Sequence, residues 1–338
     1  MEQKNNKFIT KPNLTKKLDI IKMECCFGIN DIFDIYYSKN DNNELYLIYP
    51  GDNYKIIIMR LKDKKKIKEL IGHKEKSIRM IRHFYNPNDQ KDYLISTNSN
   101  IVKVWDLSNN YNLLYSLEIK YSENTLIYSC LLYFSNNVNY LIISSNENYI
   151  QDYTKLFNFS DGKFISDLEK TNTKEIYYLL LWNKNENDYL IQCSNSQILI
   201  HNIENKKLFK ILKDESNSSN HNSACLSKKG EIDYLYVSTV RGLINIWNLN
   251  NFELKGSIKY FNHYFYHIIN WSNMYLLISD KSNNSILIID TTNDKVISVL
   301  SNIHESFVIG LKKIYHPLYG ESLLSSDIEG KIILSTKP

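Results

Sequence analysis

At 338 residues the chain has room for one or two domains, and with 43% hydrophobic and 23% charged residues it is far from a disordered composition. Only 10 Gly and 5 Pro stand against 26 Tyr, which excludes collagen-like, proline-rich and linker classes and favours β structure. The 41 Lys and Arg exceed the 37 Asp and Glu by a net +4 and are spread along the chain, so charge alone does not mark a nucleic-acid binder.

The densest basic run, Lys62 to Lys68, reads as a solvated turn and short strand. Five cysteines, at 25, 26, 130, 193 and 225, contain no Cys-x-x-Cys pair and are odd in number. That fits neither a zinc ribbon nor a complete disulfide framework and points to a reducing compartment. The N-terminus has no signal-like apolar segment and no apolar run reaches the roughly 18 residues of a membrane span. The expectation is an intracellular protein, cytoplasmic or nuclear, with no membrane insertion.

In chain order, residues 1–13 with Pro12 read as a loose tail, and Lys17 to Ile21 as a strand standing before the first repeat. One phrase then recurs: an apolar strand, a small polar turn, and a second strand. It runs from Tyr46 to Arg60, Asp92 to Asp106, Tyr140 to Asn158, Tyr189 to Asn202, Asp233 to Asn248, Tyr275 to Asp290 and Leu323 to Ser335. The clearest copies end in Trp105-Asp106 and Trp247-Asn248. Residues 59, 105, 157, 201, 247, 289 and 335 share the tryptophan slot, at spacings of 42 to 52. Seven units with turns about every ten residues specify meandering antiparallel sheets. The third unit is the longest, and its insertion Glu147 to Asp152 reads as an extended turn. The last unit stops where an outer strand should begin, so the strand at 17–21 is expected to complete it and close the ring.

On these repeats, with Gly72-His73 in front of one inner strand, the chain resembles the Trp-Asp (WD) repeat β-propeller family. The resemblance implies an all-β fold over residues 14–338: a seven-bladed propeller of four-stranded antiparallel blades. It also implies structural roles for His73, Ser96 or Thr97, Trp105, Asp106, Trp247 and His304, in hydrogen-bonded ties within blades. The acid of such a tie is sought six residues before the tryptophan slot, where Ser99, Asn53, Gln151, Asn195, Arg241, Asn283 and Glu329 stand instead, so the tie is expected to be incomplete. Trp105 and Trp247 are expected to be buried with satisfied indole N–H groups. The Trp-Asp-x-Arg sequence of propellers that dock on ubiquitin-ligase adaptors is absent.

No phosphate loop, dinucleotide fingerprint, His-Glu-x-x-His or nucleophile elbow occurs, so no catalytic residue, metal or cofactor is expected. The resemblance places partner binding on the narrower face, made by the loops entering the inner strands and the turns between the two middle strands. There stand Lys74, Glu75, Lys76, Tyr121, Asn148, Tyr149, Arg241, Tyr260, His263, Tyr264, Phe265, Asp280 and Phe307. The sequence therefore reads as a non-catalytic platform for a peptide or protein partner, a subunit of a larger complex. The rivals are a nucleic-acid-associated propeller subunit and an enzyme with its site at the channel mouth.

Overall fold

The structure is a computed structural model that describes all residues except 1–10, 24–31, 39–42, 74–76, 121–124, 136–137, 148–150, 172, 174, 196, 214–219 and 261–262. Cys25, Cys26, Lys74, Glu75, Lys76, Tyr121, Asn148 and Tyr149 lie outside the described residues. After β1 (Lys16–Lys22), the first blade is β2 (Asp34–Ser38), β3 (Glu44–Pro50), β4 (Ile56–Arg60) and β5 (Lys65–Leu70). The second is β6 (Met80–Asn86), β7 (Lys91–Thr97), β8 (Ile101–Asp106) and β9 (Asn112–Glu118). Then come β10 (Leu126–Phe134), β11 (Asn139–Glu147), β12 (Gln151–Asn158) and β13 (Phe164–Asp167), followed by β14 (Ile176–Lys184), β15 (Asn187–Ser194), β16 (Gln197–Asn202) and β17 (Leu208–Lys213). The fifth and sixth blades are β18 (His221–Lys229), β19 (Ile232–Thr239), β20 (Leu243–Asn248) and β21 (Glu253–Lys259), and β22 (Phe265–Ser272), β23 (Tyr275–Asp280), β24 (Ser285–Asp290) and β25 (Lys295–Leu300). The last blade holds β26 (Val308–His316), β27 (Gly320–Asp327) and β28 (Lys331–Thr336), and β1 pairs with β28 from Lys16↔Thr336 to Lys22↔Lys331.

These are seven four-stranded antiparallel sheets, a seven-bladed β-propeller closed by its first strand. The middle strands are covered on both faces by neighbouring blades and so read as near-continuous apolar runs, such as Ile56 to Met59. The outer strands are half-solvated; β9 buries none of its side chains fully.

The repeat is regular to the residue. Each slot residue pairs with a leucine on the preceding strand: Met59 with Leu47, Trp105 with Leu94, Phe157 with Leu141, His201 with Leu190, Trp247 with Leu235, Ile289 with Leu276 and Ser335 with Leu323. In six blades the pairing to the outer strand shifts by one residue just before the slot, a bulge that increases twist. In the same six, the residue two past the slot is buried and donates its N–H to the carbonyl two before the paired leucine, as Leu107 does to Asp92 at 2.8 Å and Leu249 to Asp233 at 2.9 Å. A period of this kind holds through very different slot side chains because the backbone ladder sets it.

The apolar core falls into seven clusters, each shared by two adjacent blades. Stability is therefore built seam by seam, and the closing seam depends on Ile20 and Met23 from the N-terminal segment. Pro12 is buried, and Leu14 packs into the seam of the sixth and seventh blades. In the third blade the ladder continues to Glu147↔Gln151, so Glu147, Gln151 and Asp152 of the insertion lie on β11 and β12, and residues 148–150 lie outside the described residues.

Candidate functional site

Two positions counted from the paired leucine explain which polar groups hold the blades. Two residues past it, Ser96, Gln192 and Ser325 are polar, whereas Tyr49, Ile143, Val237 and Ile278 occupy that place in the other blades. Ser96 Oγ accepts the Trp105 indole N–H at 3.0 Å and contacts His73 Nε2 at 2.8 Å. In the fifth blade Val237 offers no acceptor, and among the described residues the buried Trp247 Nε1 has no partner, contrary to the expectation of a satisfied indole.

Four residues past the leucine, Asn98, Ser194, Thr239, Asp280 and Asp327 wrap the turn between the middle strands; Asp327 Oδ1 accepts from the N–H groups of Glu329 and Lys331. The acid of the tie therefore stands eight or nine residues before the slot, not six. Asp327 Oδ2 meets His304 Nδ1 at 2.9 Å, and His304 Nε2 meets Ser325 Oγ at 2.8 Å. Burial would raise the Asp327 carboxyl, but His304 and the turn N–H groups outweigh it and hold the group below its ordinary range. Burial, with the Lys103 charge, pushes His73 down to about 4. Asp106 caps the turn to the outer strand, accepting from Ser108 and Asn109 at 2.9 and 3.0 Å.

These turns meet the loops entering the inner strands on one face. In blades five to seven the residue after the capping side chain donates its N–H to the incoming loop: Val240 to Asn220, Lys281 to Tyr264, Ile328 to Phe307. Gly242, at φ +70, accepts from Tyr260 at 2.8 Å; a Cβ there would stand 2.2 Å from the Tyr260 oxygen, so both conformation and space demand glycine. The result is a ridge across the sixth and seventh blades. Tyr264 is 54% exposed, Phe307 38% and Ile328 45%, and the Lys281 ammonium lies 4.9 Å from the Phe307 ring centre and 5.5 Å from that of Tyr266. Among the described residues Lys281 has no carboxylate partner. Arg241 is exposed on the neighbouring turn.

Of the residues expected on this face, Tyr264, Phe307 and Arg241 are on the surface, and Tyr260 is half-buried with its ring 4.3 Å from that of His263. Phe265 and Asp280 require correction: both are 0% exposed. Phe265 opens β22, where alternation turns it into the seam of the fifth and sixth blades, and Asp280 is tied to His263 Nδ1 at 2.6 Å. Sequence reading missed Lys281 and Ile328. The signal was their place directly after the turn-capping acids Asp280 and Asp327.

On the inner strands the charges pair between blades. Arg82 donates to the Cys130 carbonyl at 3.0 Å and lies 5.4 Å from the Tyr178 ring centre, two blades away. Lys312 reaches Asp34 at 3.2 Å, and Asp34 also accepts the His83 N–H at 2.8 Å. Cys130, Cys193 and Cys225 are buried, and burial pushes each thiol up, Cys193 to about 12. Among the described residues no three His, Cys, Asp or Glu stand together as metal ligands, and no helix is long and apolar enough to cross a membrane.

No family model and no curated protein matches the sequence. Among solved structures, the chain is similar to BBS1N in the crystal structure of BBS1N in complex with ARL6DN soaked with lead, at TM-score 0.70 and 10% identity over 96% of this chain and 97% of that one. The mercury-soaked crystal of the same complex gives 0.68 and 11% over 95% and 97%. At such identity the likeness shows the fold, a seven-bladed β-propeller.

Proposed function

We propose that the chain is a non-catalytic, WD-repeat-like platform that holds a peptide or protein segment against the ridge of Tyr264, Lys281, Phe307 and Ile328. The observation that carries this reading is the ridge itself: three exposed apolar side chains around a cation without a carboxylate partner among the described residues. Backbone hydrogen bonds between its loops hold it in place. Such an arrangement suits an apolar segment bearing a carboxylate, and its prior order reduces the entropy lost on binding. BBS1N, seen in complex with ARL6DN, supports the reading as a propeller of the same fold that carries a protein partner.

The test compares wild type with a Tyr264→Ala/Phe307→Ala/Ile328→Ser variant of equal melting temperature in capture from native cell extract, with and without nuclease. The reading expects proteins held by the wild type and lost by the variant regardless of nuclease, with anchor losses on the order of 30-fold each. Identical capture by both proteins refutes the surface. Retention that disappears with nuclease refutes the protein partner in favour of nucleic acid.

A further inference from the structure

The outer rim where the seventh and first blades meet concentrates positive charge that the whole-chain balance hides. Residues 11–22 and 55–70 hold eleven Lys or Arg against three Asp or Glu, a local +8 in a chain whose total is +4. The rest of the molecule therefore carries −4, so a general richness in lysine does not account for the concentration. β1 and β5 are the outermost strands of adjacent blades, and Lys64 Nζ donates across the seam to the Asp19 carbonyl at 2.7 Å, joining the two rows into one patch.

Ion pairs use part of this charge: Lys55 and Lys66 on Glu69 at 2.8 and 2.5 Å, Arg60 on Asp63 at 2.6 Å, and Lys62 on Glu44, an acid outside the two segments. Lys16, Lys17, Lys22, Lys64, Lys65 and Lys68 have no carboxylate within ion-pair distance among the described residues. Beside them a cleft of about 280 Å³ is lined by Lys22, Lys55 and Lys66 together with Asp52 and Glu69. Ile71, the residue after β5, is 73% exposed.

We infer that this rim is a docking surface for an anionic lipid bilayer. Lysines on edge strands at the circumference of a ring meet a flat, negatively charged plane without rearrangement, and the attraction adds over every ammonium within a Debye length of it. The features that would read a nucleic acid are engaged elsewhere: the one arginine in the patch is closed on Asp63, and the rings of Tyr111 and Tyr319 lie under Lys68 and Lys16 rather than open to a base. An exposed isoleucine gains from the acyl boundary and nothing from a dissolved polyanion.

Sedimentation of the full chain with phosphatidylcholine vesicles containing about 30 mol% phosphatidylserine tests the inference, against neutral vesicles and single-stranded RNA. The wild type should bind the anionic vesicles alone and lose binding as salt rises. Lys64→Gln/Lys65→Gln/Lys68→Gln should weaken partitioning by roughly 100-fold, about fivefold for each charge near the surface. The equally charged control Lys207→Gln/Lys210→Gln/Lys213→Gln, in the fourth blade, should bind like wild type. Equal binding to neutral vesicles, unchanged binding by the rim variant, equal loss in the control, or retention on RNA without vesicle binding would each overturn it.

Discussion

Replacing Ser96 with alanine removes one hydroxyl from a fully buried position and leaves two neighbours without it. The Trp105 indole N–H loses its acceptor at 3.0 Å, and His73 loses its 2.8 Å contact while its Nδ1 already has no partner among the described residues. Each orphaned buried group costs about 1–3 kcal/mol, and a methyl of nearly the same size opens no cavity, so a total of about 3 kcal/mol is expected. For a chain of this length that lowers Tm by roughly 4 °C. Urea denaturation of Ser96→Ala, Trp105→Phe and the double variant would give the coupling directly. The two changes should be non-additive by about 1 kcal/mol or more, because both delete one hydrogen bond. Trp247→Phe provides the comparison: among the described residues its indole N–H has no acceptor to lose, so its cost should fall below that of Trp105→Phe by about the same amount. Additivity within about 0.5 kcal/mol, or equal costs for the two tryptophans, would refute the reading of Ser96 as the tie of the second blade.

Gly242→Ala should destabilise by about 2 kcal/mol or more in a thermal melt, since its Cβ meets the Tyr260 oxygen at 2.2 Å, whereas Gly256→Ala, with nothing within 4 Å, should be neutral or slightly stabilising. His73 is held down to about 4 from an ordinary value near 6.5, so the unfolded state binds more protons between those values and stability is lost as pH falls through that window. A His73→Gln variant should accordingly show a flatter denaturation midpoint against pH from about 6.5 to 4. Tyr315→Ala, which truncates a 65% exposed side chain at the opposite end of its blade, should leave partner capture unchanged while Phe307→Ala reduces it. Removing residues 1–22 takes β1 from the last blade, bares the edge of β28, and should lower Tm sharply or cause self-association visible in size-exclusion chromatography.

The sequence by itself determined the architecture. Alternating apolar strands and Asn/Ser/Asp turns repeat seven times at nearly constant spacing, and such a period has one economical solution, a closed ring with β1 supplying the missing strand. The slot residues marked the third strand of every blade correctly even where the tryptophan had become Met59, His201 or Ser335, because spacing along a ladder is fixed by backbone pairing and tolerates changes of side chain. Only the tertiary structure decided which polar groups meet. The acid beside His304 is Asp327, which a count back from the slot skipped, because turns between the middle strands vary in length while the position past the paired leucine does not. Only the tertiary structure, too, separated Tyr264 from Phe265: neighbours in an aromatic run point to opposite sides of a strand's entry, and the seam between blades takes one while solvent meets the other. Lys281 and Ile328 join that surface from turns distant in sequence, a proximity that exists only once the sixth blade packs beside the seventh.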